Sequence, residues 1–149
     1  MVNRFEKFTF AISEISRYWH KIAADEMEKY GLKGPYAVYF TTLYRSDDGI
    51  TAVNLSELCG RDKADVSRAV ALLEEKGLIV RESDKNRYRS LLKLTDEGKR
   101  IAEQINKIAK NVTEYVGRDL TSENRAVFYE CLDSIINNMH ILSRDGLAD

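Results

Sequence analysis

A helix that is predicted to follow Asp62 carries a surface of small side chains around an arginine. Four apolar residues fall at the i, i+3, i+4, i+7 spacing of one buried helical stripe: Val66, Ala69, Val70 and Leu73. The opposite face and its edge carry Arg61, Lys63, Ala64, Ser67, Arg68 and Ala71. Small side chains let a helix enter a groove closely, arginine can donate two hydrogen bonds to guanine, and serine can bond bases or phosphates. This face therefore favours contact with double-stranded DNA over the alternative, an ordinary solvated surface with an incidental arginine.

Capping residues and glycines define the short elements around that helix. Thr51 can cap a preceding helix, and Gly60 suits the left-handed residue that would end it. The inward residues of this preceding helix are Leu55, Leu58 and Cys59. Asp62 is a good cap for the second helix, and Gly77 closes it. Two apolar runs then bracket a polar stretch, as two strands joined by an exposed loop would: 78–80 and 91–94. Helix, tight turn, helix and two-stranded wing is the order of a winged helix-turn-helix.

Four segments, taken in order, resemble the MarR (multiple antibiotic resistance regulator) family: Leu55–Gly60, Val66–Arg68, Leu73–Ile79 and Leu94–Gly98. The length of the chain and its flanking helices resemble the family as well. The resemblance implies a homodimeric DNA-binding transcription regulator, commonly a repressor relieved by a small ligand or an oxidant. The expected fold is mainly α, a winged helix-turn-helix with a small two- or three-stranded wing flanked by long N- and C-terminal dimerisation helices. We assign residues 35–98 to the DNA-binding lobe, and residues 1–34 and 99–149 to the dimerisation platform.

The predicted wing tip departs from the family that the chain resembles. Members often carry Asp-x-Arg there, whereas this chain has Asn86 and Tyr88 at those two positions. Arg87 and Arg89 flank the position of the missing arginine, and Lys85 lies just before them. We predict that Arg87 enters the minor groove, where narrow A·T-rich tracts attract arginine, with Arg89 as the alternative. A charged hairpin tip that is simply solvated is the other interpretation.

The distribution of charge along the chain supports DNA binding by its central region more strongly than the net charge does. The chain of 149 residues has a formal net charge of −1, which argues against indiscriminate binding to nucleic acid. Residues 61–93 nevertheless carry nine Lys and Arg against six Asp and Glu, while both flanking regions are net negative. The positive excess thus falls on the second helix and the wing, where phosphate contacts would lie. We expect specific, salt-sensitive binding to a pseudo-palindromic operator.

Long amphipathic segments lie at both ends of the chain. Apolar residues near the N-terminus follow a 3-4-3-4-3 spacing: Phe5, Phe8, Ile12, Ile15, Trp19 and Ile22. A helix over 4–30 and two helices after Thr95 are predicted, the last with a wide stripe: Phe128, Cys131, Leu132, Ile135, Ile136, Met139 and Leu142. A lobe of about 60 residues cannot cover all of these surfaces, so intertwined packing against a second copy is expected. The alternative is a monomer with a four-helix bundle.

Aromatic residues cluster where the lobe meets the first long helix. The resembled family often places effectors between that helix, the next helix and the helix after the wing. Candidate pocket residues here are Trp19, His20, Tyr36, Tyr39 and Phe40. The competing interpretation is that these aromatics fill the core. A small-molecule effector is therefore a prediction, and no cofactor is expected.

Other kinds of chemistry have little support in the sequence. No nucleotide-binding loop, HExxH or CxxC motif is present, and no nucleophile has a recognisable activating context, so we predict no catalytic residue and no enzyme. Metal binding by His20 and His140 across a dimer is less favoured than exposed histidines. Cys59 and Cys131 are predicted to be small buried hydrophobes rather than redox switches, in a reducing cytoplasm. No apolar run predicts a membrane helix. A winged-helix adaptor that binds protein is the main alternative function.

Overall fold

The computed structural model describes residues 3–82 and 89–147 of the chain, and most of them are helical. The elements are α1 (Arg4–Glu28), a 3-10 helix (Gly34–Tyr36), α2 (Ala37–Arg45), α3 (Ala52–Cys59), α4 (Lys63–Glu75), β1 (Ile79–Glu82), β2 (Leu91–Leu94), α5 (Asp96–Val116) and α6 (Ser122–Asp145). Strands β1 and β2 pair antiparallel, with Ile79 opposite Leu94 and Glu82 opposite Leu91. The predicted mainly α winged helix-turn-helix is confirmed.

The chain divides into two compact units, Met1–Lys107 and Ile108–Asp149, and the division falls within α5. The predicted assignment of residues to a lobe and a platform concerns the assembled protein and stays a prediction. The buried apolar core lies in the first unit, where the largest fully buried side chains are Phe40, Met27, Leu43, Leu55, Leu73 and Leu92. This core joins α2, α3 and α4 to the base of the wing.

Capping groups start the helices where the sequence predicts. Thr51 Oγ1 accepts from the amide of Asn54 at 3.2 Å, and Thr121 Oγ1 accepts from the amide of Asn124 at 3.1 Å. Such bonds satisfy amides that have no partner inside the first turn of a helix. Gly60 adopts φ 61° at the end of α3, a left-handed conformation that glycine takes without the steric cost of a Cβ.

The base of the wing is fastened at two points. An isolated pair of residues, Ile50 and Leu92, adds a single antiparallel bridge to the two strands, so the predicted option of three strands is realised only as that bridge. Thr95 Oγ1 accepts from the amide of Gly98 at 3.1 Å and donates to Gly77 O at 2.7 Å. One hydroxyl thus starts α5 and holds Gly77, which lies just beyond the end of α4.

Long apolar faces stay exposed within one chain. Five of the residues predicted to form the α1 seam are between 42% and 69% exposed: Phe5, Phe8, Ile12, Ile15 and Trp19. Helix α6 contributes no buried residue at all within its described length, although Phe128, Ile136 and Met139 are apolar. These faces are available for burial against another surface.

Three details differ from the sequence-based predictions. Helix α1 ends at Glu28 instead of residue 30, since the amides of Tyr30 and Gly31 bond carbonyls three residues earlier and close a turn. Leu58 was predicted to face inward but is 64% exposed, because α3 buries Leu55 and turns Cys59 toward α2, which leaves Leu58 on its open side. Cys131 was predicted to be buried, but in the single chain it is exposed on the uncovered face of α6.

Candidate nucleic-acid interface

The turn between α3 and α4 is fixed by local hydrogen bonds. Ser56 Oγ donates to Arg61 O at 2.5 Å, and the amide of Arg61 donates to Ser56 O at 3.2 Å. Asp62 then caps α4, since its Oδ1 accepts from the amide of Asp65 at 2.8 Å. These bonds determine the direction in which α4 leaves the turn.

Helix α4 is buried on one side and open on the other. Val66, Ala69, Val70 and Leu73 are at most 3% exposed, as the predicted stripe requires. The predicted DNA-facing residues on this helix and its preceding turn are all exposed: Arg61, Lys63, Ala64, Ser67 and Arg68. The exposed side chains thus form a continuous surface of small and basic groups, which we call the α4 face. It comprises these five residues and Ala71.

One basic group of the α4 face has an acidic partner on the same helix. Arg68 Nη2 bonds Asp65 Oδ1, and the two side chains are 69% and 45% exposed. Asp65 precedes Arg68 by three residues, so it lies beside the face at the start of the helix. Asp65 is a surface residue that the sequence-based prediction missed, although the i, i+3 spacing of an acid and an arginine on a helix is typical of such a pair.

The wing is tied to α4 by an ion pair. Arg81 on β1 places Nε and Nη2 at 3.0 and 2.9 Å from Glu74 Oε1, near the end of α4. Lys93 on β2 pairs instead within the wing, with Glu82 on β1 at 2.9 Å. Two of the cations that made residues 61–93 positive are therefore engaged in holding the wing.

The wing tip was predicted to contact DNA through three basic residues. Arg89 is exposed just before β2. Lys85 and Arg87 lie outside the described residues, so the prediction that Arg87 enters the minor groove stays a prediction.

The aromatic candidates for a ligand pocket differ in burial. Phe40 and Tyr39 belong to the core with 0% and 4% exposure, while Trp19 is 42% exposed. Tyr36 is half-buried and packs edge-to-face on Tyr39, with ring centroids 6.0 Å apart; His20 is exposed on α1. The part played by any of them in a pocket stays a prediction.

Tyr39 links this cluster to the start of α4. Burial raises the pKa of its hydroxyl, the nearby guanidinium of Arg61 opposes that rise, and the carboxylate of Asp65 adds to it. A buried side chain of α2 thus lies within electrostatic reach of two residues at the N-terminal end of α4.

Residues 3–82 and 89–147 lack two features that are typical of other protein classes. No helix in these ranges is both long enough and apolar enough to cross a membrane. The same ranges bring together no group of three Cys, His, Asp or Glu side chains that could hold a metal ion. Cys59 Sγ lies 3.5 Å from Thr42 Oγ1, in a half-buried position against α2.

Comparison with known proteins agrees with this geometry. A MarR family sequence profile matches residues 30–90. No significant match exists among curated protein sequences. The fold is similar to that of a MarR transcriptional regulator from Methanosarcina mazei Go1, with 26% identity, a TM-score of 0.79, and coverage of 95% of this chain and 94% of that one.

Two structures solved with DNA have the same fold. A putative MarR family transcriptional regulator from Listeria monocytogenes, complexed with 26mer DNA, has 20% identity and a TM-score of 0.81, with 100% of this chain and 99% of that one covered. The MepR–DNA complex of Staphylococcus aureus has 20% identity and a TM-score of 0.80, with 92% of this chain and 99% of that one covered.

The chain has the winged helix-turn-helix fold of a class of transcription regulators, not of an enzyme class. Within that class, the predicted resemblance to MarR family transcriptional regulators is confirmed by the match over residues 30–90 and by the fold over nearly the whole chain.

Proposed function

We propose that this protein is a homodimeric, sequence-specific DNA-binding transcriptional regulator, a repressor whose affinity for DNA is modulated by a small ligand. The observation that carries the proposal is the α4 face. It exposes Arg61, Lys63, Ser67 and Arg68 among alanines, on the opposite side and the edge of the helix from the stripe that anchors it in the core. A helix held in this way can enter the major groove without clashes from long side chains.

The wing supplies a second contact region next to that helix. The Glu74–Arg81 pair joins the end of α4 to β1, so the wing has a direct side-chain contact with the helix that carries the α4 face. Arg89 is exposed beside the wing, where it can reach a phosphate or the minor groove. The Listeria and S. aureus proteins of the same fold were crystallised with DNA, which supports this use of the fold.

The uncovered faces of α1 and α6 support a homodimer. Phe5 and Ile15 on α1 and Met139 on α6 are each more than half exposed within one chain. Leaving so much apolar surface in water is unfavourable by about 25 cal/mol for each Å², and a second copy carries the same faces to cover it. A two-fold dimer reads two half-sites about one helical turn, ~34–36 Å, apart or a multiple of that.

Modulation by a ligand is supported by the aromatic cluster at α2. Tyr39 is packed against Tyr36 and lies within electrostatic reach of Arg61 and Asp65 at the start of α4. A ligand that prefers one arrangement of this cluster would change the population of DNA-competent dimers by that preference alone. Repression is the common mode in the family that the chain resembles.

A protein-binding adaptor is the second candidate. The observation that favours it is Leu58 on α3, which is 64% exposed in the described chain and could anchor a partner. The α4 face favours DNA instead, since it presents arginine and alanine where an adaptor would expose apolar anchors.

The first experiment is fluorescence anisotropy with the DNA upstream of the protein's own coding region, in the presence of competitor DNA and at several salt concentrations. A tight, competitor-resistant complex that contains two chains is the expected result. Arg68→Ala should weaken binding to this operator roughly ten- to hundredfold, because a bidentate arginine–guanine contact contributes about 1–3 kcal/mol of discrimination.

Arg144→Ala is the matched control for Arg68→Ala. Arg144 also forms an exposed ion pair on a helix, with Asp145, and its side chain is 74% exposed. This control should bind as the unchanged protein does. Equal affinities for the two variants would refute the assignment of the α4 face, and weak binding that salt abolishes, on every DNA tested, would favour the adaptor.

A further inference from the structure

The ion pair between Asp65 and Arg68 places a carboxylate at the edge of a surface that is proposed to face DNA. The acid would repel phosphates, and it already binds the arginine assigned to base recognition. A carboxylate in this position weakens the non-specific attraction between the helix and the DNA phosphates, so its presence calls for a physical explanation.

The start of α4 does not require the side chain of Asp65. Asp62 provides the cap through its own Oδ1, and Asp65 contributes only its backbone amide to that bond. The pair is also largely solvated, with Arg68 69% exposed and Asp65 45% exposed, so its contribution to stability is small. The carboxylate also lies in the positive first turn of α4, where its interaction with the helix dipole adds a small stabilisation. That interaction does not require the contact with Arg68.

We propose that Asp65 is a positioning residue for sequence recognition: it holds the guanidinium of Arg68 so that this group meets a base edge and does not move to a phosphate. The proposal rests on the proposed function. The contact uses Nη2 alone, so the remaining N–H donors of the planar guanidinium stay available for guanine O6 and N7.

Two physical effects give the pair this role. Arginine loses considerable rotamer freedom when it is fixed, and a partner that holds it in advance reduces the loss on binding. The carboxylate also disfavours complexes in which Arg68 turns away to a phosphate, because Asp65 would then face the DNA without its cation. Asp65 therefore increases affinity for the operator and decreases affinity for other sequences.

The test compares operator with random duplex DNA by anisotropy, with the operator obtained by selection from a random pool. The variants are Asp65→Ala, which removes the partner, and Asp65→Asn, which keeps an acceptor for the guanidinium but no charge. Glu75→Ala is the control, since Glu75 is an exposed acid at the other end of α4.

For Asp65→Ala we expect operator affinity to fall several-fold and random-DNA affinity to stay or rise, so that the ratio of the two affinities falls several-fold or more. Asp65→Asn should recover part of the ratio. Glu75→Ala should change both affinities by the same factor and leave the ratio as it was.

Two results would overturn the proposal. Equal gains for operator and random DNA in Asp65→Ala would show that the carboxylate only competes with DNA for Arg68. Equal losses together with a lower melting temperature would show that it only supports the helix. An unchanged protein that selects no sequence at all would instead refute the proposed function, which makes the two failures distinguishable.

Discussion

Gly98 allows the first turn of α5 to lie against the chain that follows α4. A Cβ built on this residue would be 2.1 Å from Leu78 O and 3.2 Å from Leu94 Cδ2. The nearest of these atoms is backbone and cannot rotate away. Gly98 also donates its amide to Thr95 Oγ1, which itself binds Gly77 O. The absence of a side chain therefore permits a close junction of wing, α4 and α5.

Gly98→Ala should lower the free energy of unfolding by roughly 1–3 kcal/mol, the usual cost of overpacking a well-packed site. Intrinsic helix propensity predicts the opposite, a gain of about 1 kcal/mol on replacing glycine by alanine inside a helix. The sign of the change in the free energy of unfolding, measured by urea denaturation, thus separates overpacking from helix propensity. A variant as stable as the unchanged protein, or more stable, would contradict the close junction.

The spacing of apolar residues predicted the burial of some side chains correctly and of others wrongly. Spacing predicted the stripe at Val66, Ala69, Val70 and Leu73, because a helix that packs on a core buries a regular face. It misplaced Leu58, since α3 has only eight residues and the direction of its neighbours decides which side is covered. The i, i+3 spacing of Asp65 and Arg68 is typical of an ion pair on a helix, but spacing alone does not show whether the two side chains meet or turn to solvent.

Among the elements, the wing depends on α4 for its orientation. Within the described residues it has two short strands and one additional bridge at Ile50 and Leu92, so few hydrogen bonds fix its angle. The side-chain pair of Glu74 with Arg81 adds a direct tie, seven residues apart in sequence. Periodicity predicted that two strands would form, but a pair between a helix and a strand depends on tertiary packing and was not predicted.

Arg81→Met should reduce operator affinity more than Lys93→Met does. Each change removes one positive charge from the wing, so the loss of counterion release is the same. Of these two residues, Arg81 pairs with Glu74 on α4, whereas Lys93 pairs with Glu82 inside the hairpin. We expect a further loss of roughly three- to tenfold for Arg81→Met, since misplacing the wing removes contacts beyond the charge itself.

Thermal unfolding provides the check on that comparison. Both ion pairs are partly exposed, and such pairs stabilise a fold by only about 0–1 kcal/mol, so the two variants should melt close to the unchanged protein. Anisotropy titrations in matched salt then compare their affinities. If both variants lose the same affinity, the tie between Arg81 and Glu74 has no role in orienting the wing.

For the whole molecule, the buried and exposed apolar residues are unevenly distributed along the chain. The core reaches from Met27 to Ile105, while the described part of α6 has no buried residue. The sequence correctly predicted the apolar stripes of α1 and α6 as helical faces. It also predicted that a single chain would leave these stripes uncovered. It could not show which surfaces meet, because that depends on the symmetry of an assembly and not on local spacing.

Met139→Asp should convert the protein into a monomer that still folds. Met139 is 56% exposed in the single chain, so a carboxylate there disturbs no core, but in a dimer it would be buried without a partner. Sedimentation velocity should show one species of half the mass, with an unchanged helical circular dichroism spectrum. Operator affinity should fall by roughly 10²–10⁴-fold, since two linked half-site contacts become one.

Asn137→Asp is the control, because Asn137 lies on the same helix, is exposed and points away from the apolar stripe of α6. It introduces the same charge, so it should remain a dimer and retain most of its operator affinity. A Met139→Asp protein that still sediments as a dimer would mean that α6 does not form the interface. If the protein without any substitution sediments as a monomer, the apolar faces of α1 and α6 lack their proposed partner. The proposal that a two-fold dimer binds a palindromic operator would then be wrong.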